Sequence, residues 1–522
     1  MTGDTPSPPS YDLLERPWVP TRKGATTEDV GLRELFVNAS RIDDLAVPVP
    51  PAAAGLWRVL YALTARITGL DDPSLGRDVA AWRARQREVL DTGVFDPGAV
   101  MEYFDRHQQR FDLFGPMPWM QDPRLADECP KAAGVNKLVM SRPAGQNQVW
   151  FGHFTDLDPE PAPAAEAAWF LLVQLYFGPS GRCSARTVSG VSEANTTAGP
   201  LRSALSYHPV GRNLFESLVI GVPAPATATT VNFGVRDVCP WERDEPLNAL
   251  GVPPPPTWPG AMLTARARHA VLLVPGAAGD TVTDAYITWA YRQPSPECVD
   301  PYVIRNRSRE GSWYSRPADE DRALWRDLDA LLLQNTATRE VRRPAALDGF
   351  DDLPDDVAKA VRIRAYGFAQ DGQTRDRQWF SEVTPPILAW LEERDPDSWR
   401  RIACARQDAE DVAHQLGSVC REAWRRAVSP PDMESSRRRE KAPPGPWARR
   451  ATAWYWPQAE RAFWRLVRDQ SDSQGVRPFV ALARQAIDHA VGEQERDPKV
   501  ARAVSWARGA VGAKNNAQRE HL

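Results

Sequence analysis

The sequence predicts an α+β protein, with a large mixed α/β N-terminal domain followed by a C-terminal antiparallel four-helix bundle. Its 522 residues are more than one hydrophobic core supports, so two or three domains are expected. Helical and strand-like patterns alternate up to about residue 380, and the 48 prolines of the chain mark many turns. Beyond that point, four helical segments with short connections are typical of a bundle.

The N-terminal domain, taken as residues 1–380, contains both kinds of element. Residues 11–36 read as a short strand, a proline-containing turn and a helix start. Residues 52–67 carry Leu56, Leu60, Leu63 and Ile67 at helical spacing, which predicts an amphipathic core helix. Further helices are expected over 98–116, 165–177 and 316–333, and strands over 269–276 and 284–292. In 316–333, Pro317 near the first helical position and acidic residues in the first turn are helix start signals.

The C-terminal domain, taken as residues 381–522, is predicted to be helical over 397–428, 446–469, 476–492 and 498–513. Trp399, Trp424, Trp454, Trp464 and Trp506 fall among apolar neighbours and could pack between these helices. The linker 435–445 ("SSRRREKAPPG") is either a solvated basic run or a contact for DNA phosphates.

Composition bounds the function. The net charge of −4 argues against indiscriminate nucleic-acid binding, although residues 387–522 hold 24 Lys and Arg against 19 Asp and Glu. The first residues show no secretion signal, and the longest apolar stretch is shorter than the ~20 residues that cross a bilayer. A cytoplasmic protein without a membrane partner is therefore expected. The six cysteines are scattered, without the close pairs of a zinc ribbon or a disulfide framework.

No enzyme motif was found. The sequence has no phosphate-binding loop of the GxxxxGK[ST] type, no HExxH, no GxSxG and no GxGxxG that opens a helix after a strand. The seven histidines stand singly, so no metal site and no cofactor are expected. An enzyme of unrecognised type, with an active site assembled from distant residues, stays an alternative, as does a scaffold that binds protein only.

The stretch "AYGFAQDGQTRDRQWF" (365–380) places small polar residues on a turn between two apolar segments. Nothing in it resembles a nucleophile with its base. Taken alone, it is typical of a solvated β-turn with Gly372 at positive φ. Compact amides and hydroxyls on such a turn would also suit the narrow minor groove of DNA.

Several segments, in order, resemble one family. "ERPWVPT" (15–21), "GLRELF" (31–36) and above all "RFDLFGPMPWMQ" (110–121) are similar to the N-terminal pattern of CasA, the large subunit of the type I-E CRISPR surveillance complex, Cascade. "GVNKLVMSRPAGQNQ" (134–148), "YGFAQDGQTRDRQW" (366–379) and the helical C-terminal part follow at similar separations. The resemblance covers essentially the whole chain, although the central β region is divergent.

The resemblance implies a non-catalytic role. Such a subunit recognises the short protospacer-adjacent motif, here called the tag, in double-stranded DNA, largely through the minor groove. It then promotes duplex opening and R-loop formation and docks a helicase–nuclease. The implied partners are the guide RNA, the other Cascade subunits, the target duplex and that helicase–nuclease. In such systems, base pairing with the guide RNA recognises most of the target sequence, while the protein recognises only a short tag in the duplex.

The resemblance also implies site residues. The tag-reading turn would comprise Gln370, Asp371, Gly372, Gln373 and Thr374, with Arg375 and Arg377 on flanking phosphates. A glycine loop would comprise Gly178, Pro179, Ser180, Gly181 and Arg182, although a plain helix stop explains Gly178 and Pro179 equally well. The family's basic finger would be Arg292 on a plausible strand, with Arg305 and Arg307 as rivals. A loop that contacts the guide RNA and neighbouring subunits would comprise Val139, Met140, Ser141 and Arg142, with an ordinary surface loop as the alternative.

Overall fold

The computed structural model describes residues 8–144, 153–225, 235–319, 321–336, 338–371, 375–428, 445–469 and 475–512. Two compact units make up the fold. One runs to Leu324 and again from Gln334 to Ala389, and the other comprises Trp325–Leu333 and the described residues from Trp390 onward.

Antiparallel pairing organises the strands of the first unit. The strands are β1 (Val19–Lys23), β2 (Thr26–Val30), β3 (Asp44–Leu45), β4 (Ala162–Pro163), β5 (Gly181–Val188), β6 (Val191–Thr196), β7 (Ser206–Val210), β8 (His269–Pro275), β9 (Thr281–Trp289), β10 (Arg305–Arg307), β11 (Trp313–Ser315), β12 (Val341–Arg342), β13 (Arg362–Asp371) and β14 (Arg375–Val383). They form small sheets in the orders β2-β1-β3, β4-β9-β8, β5-β6, β11-β10-β12 and β14-β13-β7.

The helices include both short turns and long amphipathic segments. They are α1 (Leu32–Val37), α2 (Pro50–Thr68), α3 (Val79–Thr92), α4 (Pro97–His107), α5 (Leu125–Glu128), α6 (Val135–Leu138), α7 (Ala164–Phe177), α8 (Leu214–Gly221), α9 (Gly260–Thr264), α10 (Leu328–Leu332), α11 (Asp355–Ala358), α12 (Pro396–Val428), α13 (Trp447–Asp469), α14 (Arg477–Val491) and α15 (Pro498–Ala510). In the part of the chain described above, no helix combines the length and apolarity needed to cross a membrane.

Helix α2 is the centre of the first unit. The sequence predicts an amphipathic helix here, but nearly all of its residues are buried, because α7, α8, α9 and β13 all contact it. A helix that is apolar on every side is expected to be enclosed in this way. Its one buried cation, Arg58, forms an ion pair with Asp300 and donates to the carbonyl oxygen of Ala54 and to Oγ of Ser206.

The second unit is built on the four long helices α12, α13, α14 and α15, which contact one another. Each buries one apolar stripe, for example Val412 and Leu416 of α12 against the side of α13 that carries Tyr455. The Tyr455 hydroxyl donates to the carbonyl oxygen of Ala409 over 3.0 Å. Prolines or glycines bound these helices, and the predicted helix limits are confirmed within one to three residues. The antiparallel arrangement of the bundle stays a prediction.

Three further sequence expectations differ from the structure. The helix expected over 98–116 ends at His107 and is followed only by a 3₁₀ turn, Gln108–Arg110. The predicted helix over 316–333 is wrong: it is reduced to α10 and a preceding 3₁₀ turn, because the backbone at Pro317 and Ala318 instead pairs with residues 203 and 204. The units also divide between residues 389 and 390 rather than at 380/381, since β14 continues through the expected boundary to Val383 and pairs with β13.

Candidate nucleic-acid interface

The predicted tag-reading turn is the tip of the β13–β14 hairpin. The two strands pair up to Asp371 and Arg375, with a register shift at Gln370. Of the predicted turn, Gly372, Gln373 and Thr374 lie outside the described residues, and Asp371 and Arg375 are described by their backbone alone. Gln370 is half-buried, and its Oε1 accepts a 2.8 Å hydrogen bond from the backbone N–H of Ser203. The base of the tip is therefore fixed to a distant segment of the chain.

The predicted glycine loop joins the end of α7 to β5. Gly178 has no room for a side chain, because a Cβ there would lie 2.5 Å from the carbonyl oxygen of Gln174 and 2.6 Å from Cε1 of His269. The carbonyl oxygen of Pro179 accepts a 3.0 Å hydrogen bond from Nε2 of His269. Gly181 has φ +115°, a conformation that favours glycine. Ser180 is half-buried and Arg182 is exposed. The loop thus presents its backbone close to the surface while its start is held tightly.

Residues 199–205, here called the connecting segment, are hydrogen-bonded both to the glycine loop and to the base of the β13–β14 tip. The N–H of Gly199 donates to Gly178 O over 2.9 Å, and Nη1 of Arg202 donates to Phe177 O over 3.0 Å. Ser203, at φ +66°, donates its N–H to Gln370. Its carbonyl oxygen accepts from the N–H of Ala318 over 2.7 Å. Its contacts with the loop, the tip and Ala318 all join residues that are distant in the chain, so no local sequence signal predicts them.

The β10–β11 hairpin is the third element that the connecting segment holds, since the N–H of Leu205 donates to Arg316 O just after β11. In this hairpin, Arg307 lies opposite Trp313 and Arg305 lies opposite Arg342 of β12, so these side chains share one face. The guanidinium carbons of Arg305 and Arg342 lie 5.4 and 4.4 Å from the Trp313 ring centroid. Burial, followed by Arg342, lowers the pKa of Arg305, while Glu297 opposes the shift.

The basic-finger candidates differ in their surroundings. The expectation that Arg292 lies on a strand is wrong, because β9 ends at Trp289. Arg292 is instead turned back on the protein: it forms a 3.6 Å ion pair with Glu193 and donates to Asn195 O. Arg307 and Arg309 are exposed, and Arg309 stands in the turn between the two strands. The alternative candidates Arg305 and Arg307 do lie on a strand, β10. Arg377 of β14 is exposed.

The predicted guide-contact loop follows α6. Val139 is buried and contributes packing, whereas Ser141 is exposed and Met140 and Arg142 are half-buried. Nη1 of Arg142 donates to Glu160 O, and its guanidinium carbon lies 4.2 Å from the Phe154 ring centroid. Its pKa is lowered by burial. The side chain is therefore already positioned in this chain.

A cavity of about 370 Å³ separates this loop from the glycine loop. Its lining includes Lys137, Arg142 and Arg182 as cations and Asp156 as an anion. Asn136 also lines it. Two acceptors fix the amide nitrogen of this buried side chain, and its Oδ1 has no partner among the residues that the structure describes. The loops predicted to contact guide RNA and DNA thus border one predominantly cationic cavity.

His269 lines this cavity and supports the glycine loop. Burial lowers its pKa from 6.5 to about 4. The unfolded chain therefore binds a proton at higher pH than the folded one, so stability present above pH 6.5 is lost as the pH falls towards 4. We expect acidification over this range to lower the free energy of unfolding of the first unit by up to about 3 kcal/mol from this residue.

Denaturant unfolding of the wild type and of His269→Gln between pH 7 and 4.5 tests this expectation. The amide of the variant retains a donor for the carbonyl oxygen of Pro179 but does not titrate. Its pH dependence should be shallower than that of the wild type. An identical pH dependence in both proteins would contradict the role given to His269.

One constellation in the first unit has the elements of a nucleophile and base. Oγ of Ser206 lies 2.7 Å from Nε2 of His208, whose Nδ1 lies 3.3 Å from the Tyr61 hydroxyl. All three residues are fully buried. Burial, followed by Arg58, holds the pKa of His208 well below its ordinary value. Because these atoms lie within the packed aromatic stack of Tyr61, His208 and Tyr302, they satisfy one another and serve the core. Within the described ranges, no three His, Cys, Asp or Glu residues are grouped to hold a metal ion.

Comparisons with known proteins match this fold and order of segments. The family model described as CRISPR-associated protein Cse1 matches residues 12–495. The CRISPR-associated protein CasA/Cse1 of Thermus thermophilus is 28% identical over 435 residues, which cover 82% of this chain and 80% of that protein. These matches define a CRISPR-associated protein. More narrowly, the chain belongs to the Cse1 family, also called CasA.

Solved structures support the same assignment. A chain of a CRISPR RNA-guided surveillance complex is 42% identical, with a TM-score of 0.85, and the match covers 97% of this chain and all of that one. The crystal structure of Thermobifida fusca Cse1, at 18% identity and a TM-score of 0.71, covers 96% of this chain and 98% of that one and shows the same fold.

Proposed function

We propose that this chain is the non-catalytic large subunit of a type I-E RNA-guided CRISPR surveillance complex and that it recognises the tag in duplex DNA. The proposal rests on the hydrogen bonds that the connecting segment makes. Its backbone and side chains bind the glycine loop at Gly178, the base of the β13–β14 tip at Gln370 and the end of the β10–β11 hairpin at Arg316. Three elements from distant parts of the sequence are thereby held in one constellation.

The chemistry of the three elements suits a minor-groove reader. The minor groove is narrow and its donor and acceptor pattern is degenerate, so small amides and exposed backbone groups can follow it. The glycine loop offers backbone without bulky side chains, and Gly372 through Thr374 of the tip are small or amide-bearing. Arg307 and Arg309 would bind the flanking phosphates, which position the reader without specifying sequence. Duplex opening would follow once the tip enters the groove as a wedge.

The proposed partners extend beyond the duplex. Met140, Ser141 and Arg142 would contact the guide RNA and neighbouring subunits, supported by the cationic cavity beside them. A helicase–nuclease would dock on the assembled complex and supply the chemistry that this chain lacks under the proposal. Because small turns and a few arginines bury little surface, the isolated chain is expected to bind duplex DNA only with a non-specific Kd of about 10⁻⁴–10⁻⁶ M.

Binding of matched and scrambled tag duplexes to the reconstituted complex tests the proposal. The variant Gln370→Ala, Gln373→Ala and the variant Arg307→Ala, Arg309→Ala are compared with Arg400→Ala, Arg496→Ala, which changes exposed arginines of the second unit. The glutamine variant should reduce tag discrimination by about 5- to 150-fold, the range of one lost base contact of 1–3 kcal/mol. The finger variant should weaken binding to both duplexes. Unchanged discrimination in an assembled complex would contradict the proposed reader.

The variant Gln370→Glu distinguishes two roles of Gln370: contact with a base in the minor groove, and support of the connecting segment. A glutamate retains an oxygen that can accept from the N–H of Ser203, but it has no amide donor for a base. If the side chain serves only to hold the connecting segment, this variant should discriminate tags as the wild type does. If Gln370 reads the groove, the variant should lose discrimination as the alanine variant does.

A further inference from the structure

Helix α13 carries a stripe of arginines and tryptophans on its outward face. The stripe, here called the α13 stripe, comprises Arg450, Trp454, Arg461, Trp464, Arg465 and Arg468. Spacings of three, four and seven residues place these side chains on one side of the helix. The four arginines are exposed and the two tryptophans are half-buried. Tyr455, Ala459 and Phe463 are buried on the other side, which faces the rest of the bundle.

The charges of the stripe are not compensated within the described residues. None of its four arginines has a carboxylate within ion-pair distance there; Arg461 contacts Gln458, and Arg465 contacts the carbonyl oxygen of Arg461. Like charges three and four residues apart destabilise a helix. On the neighbouring helices some arginines do form ion pairs: Arg426 of α12 pairs with Glu422, and Arg508 of α15 pairs with Asp488 and Glu495. Arg484 of α14 and Arg502 of α15 instead contact carbonyl oxygens. The stripe is thus suited to an external anion.

Its aromatic rings indicate which anion. The Trp454 ring stacks on His489 with centroids 5.8 Å apart, and Nε1 of Trp464 donates to Glu460, so both rings are held in place at the edge of the arginine row. Cations that alternate with aromatic rings are the usual surface for single-stranded nucleic acid, because unpaired bases stack on rings while phosphates meet arginines. A duplex keeps its bases stacked internally and gains nothing from the rings. The stripe extends over about 27 Å, enough for several nucleotides.

We propose that the α13 stripe binds single-stranded DNA, with phosphates on its arginines and bases stacked beside Trp454 and Trp464. The ligand rests on the proposed function, since opening of the target duplex is what would provide a free DNA strand. The stripe itself is separate from the tag-reading elements, which all belong to the first unit.

Fluorescence anisotropy of the full chain with a labelled 20-nucleotide oligothymidylate tests the binding directly. The variant Arg461→Gln, Arg465→Gln, Arg468→Gln, here called the stripe variant, keeps good helix formers at these positions. It should weaken binding on the order of tenfold at low salt and make the slope of log affinity against log salt shallower by about 2, as loss of three phosphate contacts requires. The matched control Arg400→Gln, Arg496→Gln, Arg502→Gln removes the same charge from exposed positions of α12, the turn before α15 and α15 itself. It should stay within about twofold of the wild type.

The variant Trp454→Leu keeps an apolar side chain against His489 and removes the stacking ring. It should weaken oligothymidylate binding while leaving the affinity for a 20-base-pair duplex unchanged. Equal losses in the stripe variant and the arginine control would overturn the proposal, since net charge alone would then explain binding. An equal loss of duplex affinity in the Trp454→Leu variant, or equal or tighter binding of oligouridylate than of oligothymidylate by the wild type, would overturn the assignment to single-stranded DNA.

Permanganate reactivity of the displaced strand in the reconstituted complex separates this proposal from the proposed function. The stripe variant should leave tag discrimination intact and raise the reactivity of unpaired thymines at least severalfold. Unchanged reactivity would contradict the proposal that the α13 stripe binds the displaced DNA strand. If the wild-type complex failed to discriminate tags, the tag-reading proposal would fall, while the oligothymidylate experiment would still decide whether the stripe binds single strands.

Discussion

Replacement of Asp300 by alanine is expected to lower the free energy of unfolding of the first unit by about 3–5 kcal/mol, the cost of leaving a buried charge without its partner. Arg58 is fully buried, and its Nη2 and Nε donate to the two carboxylate oxygens of Asp300 over 2.8 and 3.0 Å. Burial works to raise the pKa of Asp300, but Arg58 and Arg266 outweigh it and hold the pKa below its ordinary value. The ion pair is therefore integral to the core around α2.

Denaturant unfolding, followed by a probe confined to the first unit, measures this loss. Glu102→Ala is a suitable control in the same unit, because Glu102 forms an exposed pair with Arg106 at 2.6 Å and its removal should change stability by less than about 1 kcal/mol. A loss of stability on replacement of Asp300 no larger than on replacement of Glu102 would show that water or a rearranged side chain compensates the charge of Arg58.

Replacement of Arg186 by methionine is expected to cost about 3 kcal/mol and to loosen the strand that follows the glycine loop. Arg186 lies on β5, is fully buried and pairs with Glu128 and Asp122 at 2.5 and 2.8 Å. It also donates to the carbonyl oxygen of Trp289. The expected loss lies at the lower end of the range for buried pairs, because Arg124 still pairs with Asp122 in the variant.

Amide hydrogen exchange of β5 and β6, together with denaturant unfolding, checks the expectation for the Arg186→Met variant. Arg182→Met is the matched control, since it lies four residues earlier on the same strand but is exposed. The Arg186 variant should exchange β5 amides faster and the control should not. Equal exchange in both variants would mean that backbone pairing alone fixes this hairpin.

Residue patterns predict much of the fold where structure is local. The long helices α12 to α15 follow from apolar spacing and from the prolines and glycines between them, so their limits were predictable from the sequence. Residue patterns also predict strands over 269–276 and 284–292. The second predicted strand ends three residues beyond the observed end of β9 at Trp289. In both cases the signal lies within a single segment.

The site was less predictable because long-range pairing overrides local preference. Pro317 and the acidic residues after it resemble a helix start, yet the backbone there extends and pairs with residues 203 and 204. The connecting segment has no motif of its own, and its role follows only from partners at Gly178, Gln370 and Arg316. The family resemblance predicts the glycine loop and the turn as site elements, while the surroundings of Arg292 and of the β10–β11 hairpin depend on contacts between distant segments.

Under the proposed function, this chain reads the tag. The most direct test of this claim is target-duplex binding by the reconstituted complex, with and without this chain, on duplexes that differ only in the tag. We predict that the complete complex prefers the matched tag, that the preference disappears when this chain is omitted, and that it returns when the chain is added back. A complex that discriminates tags equally well without this chain would contradict the claim.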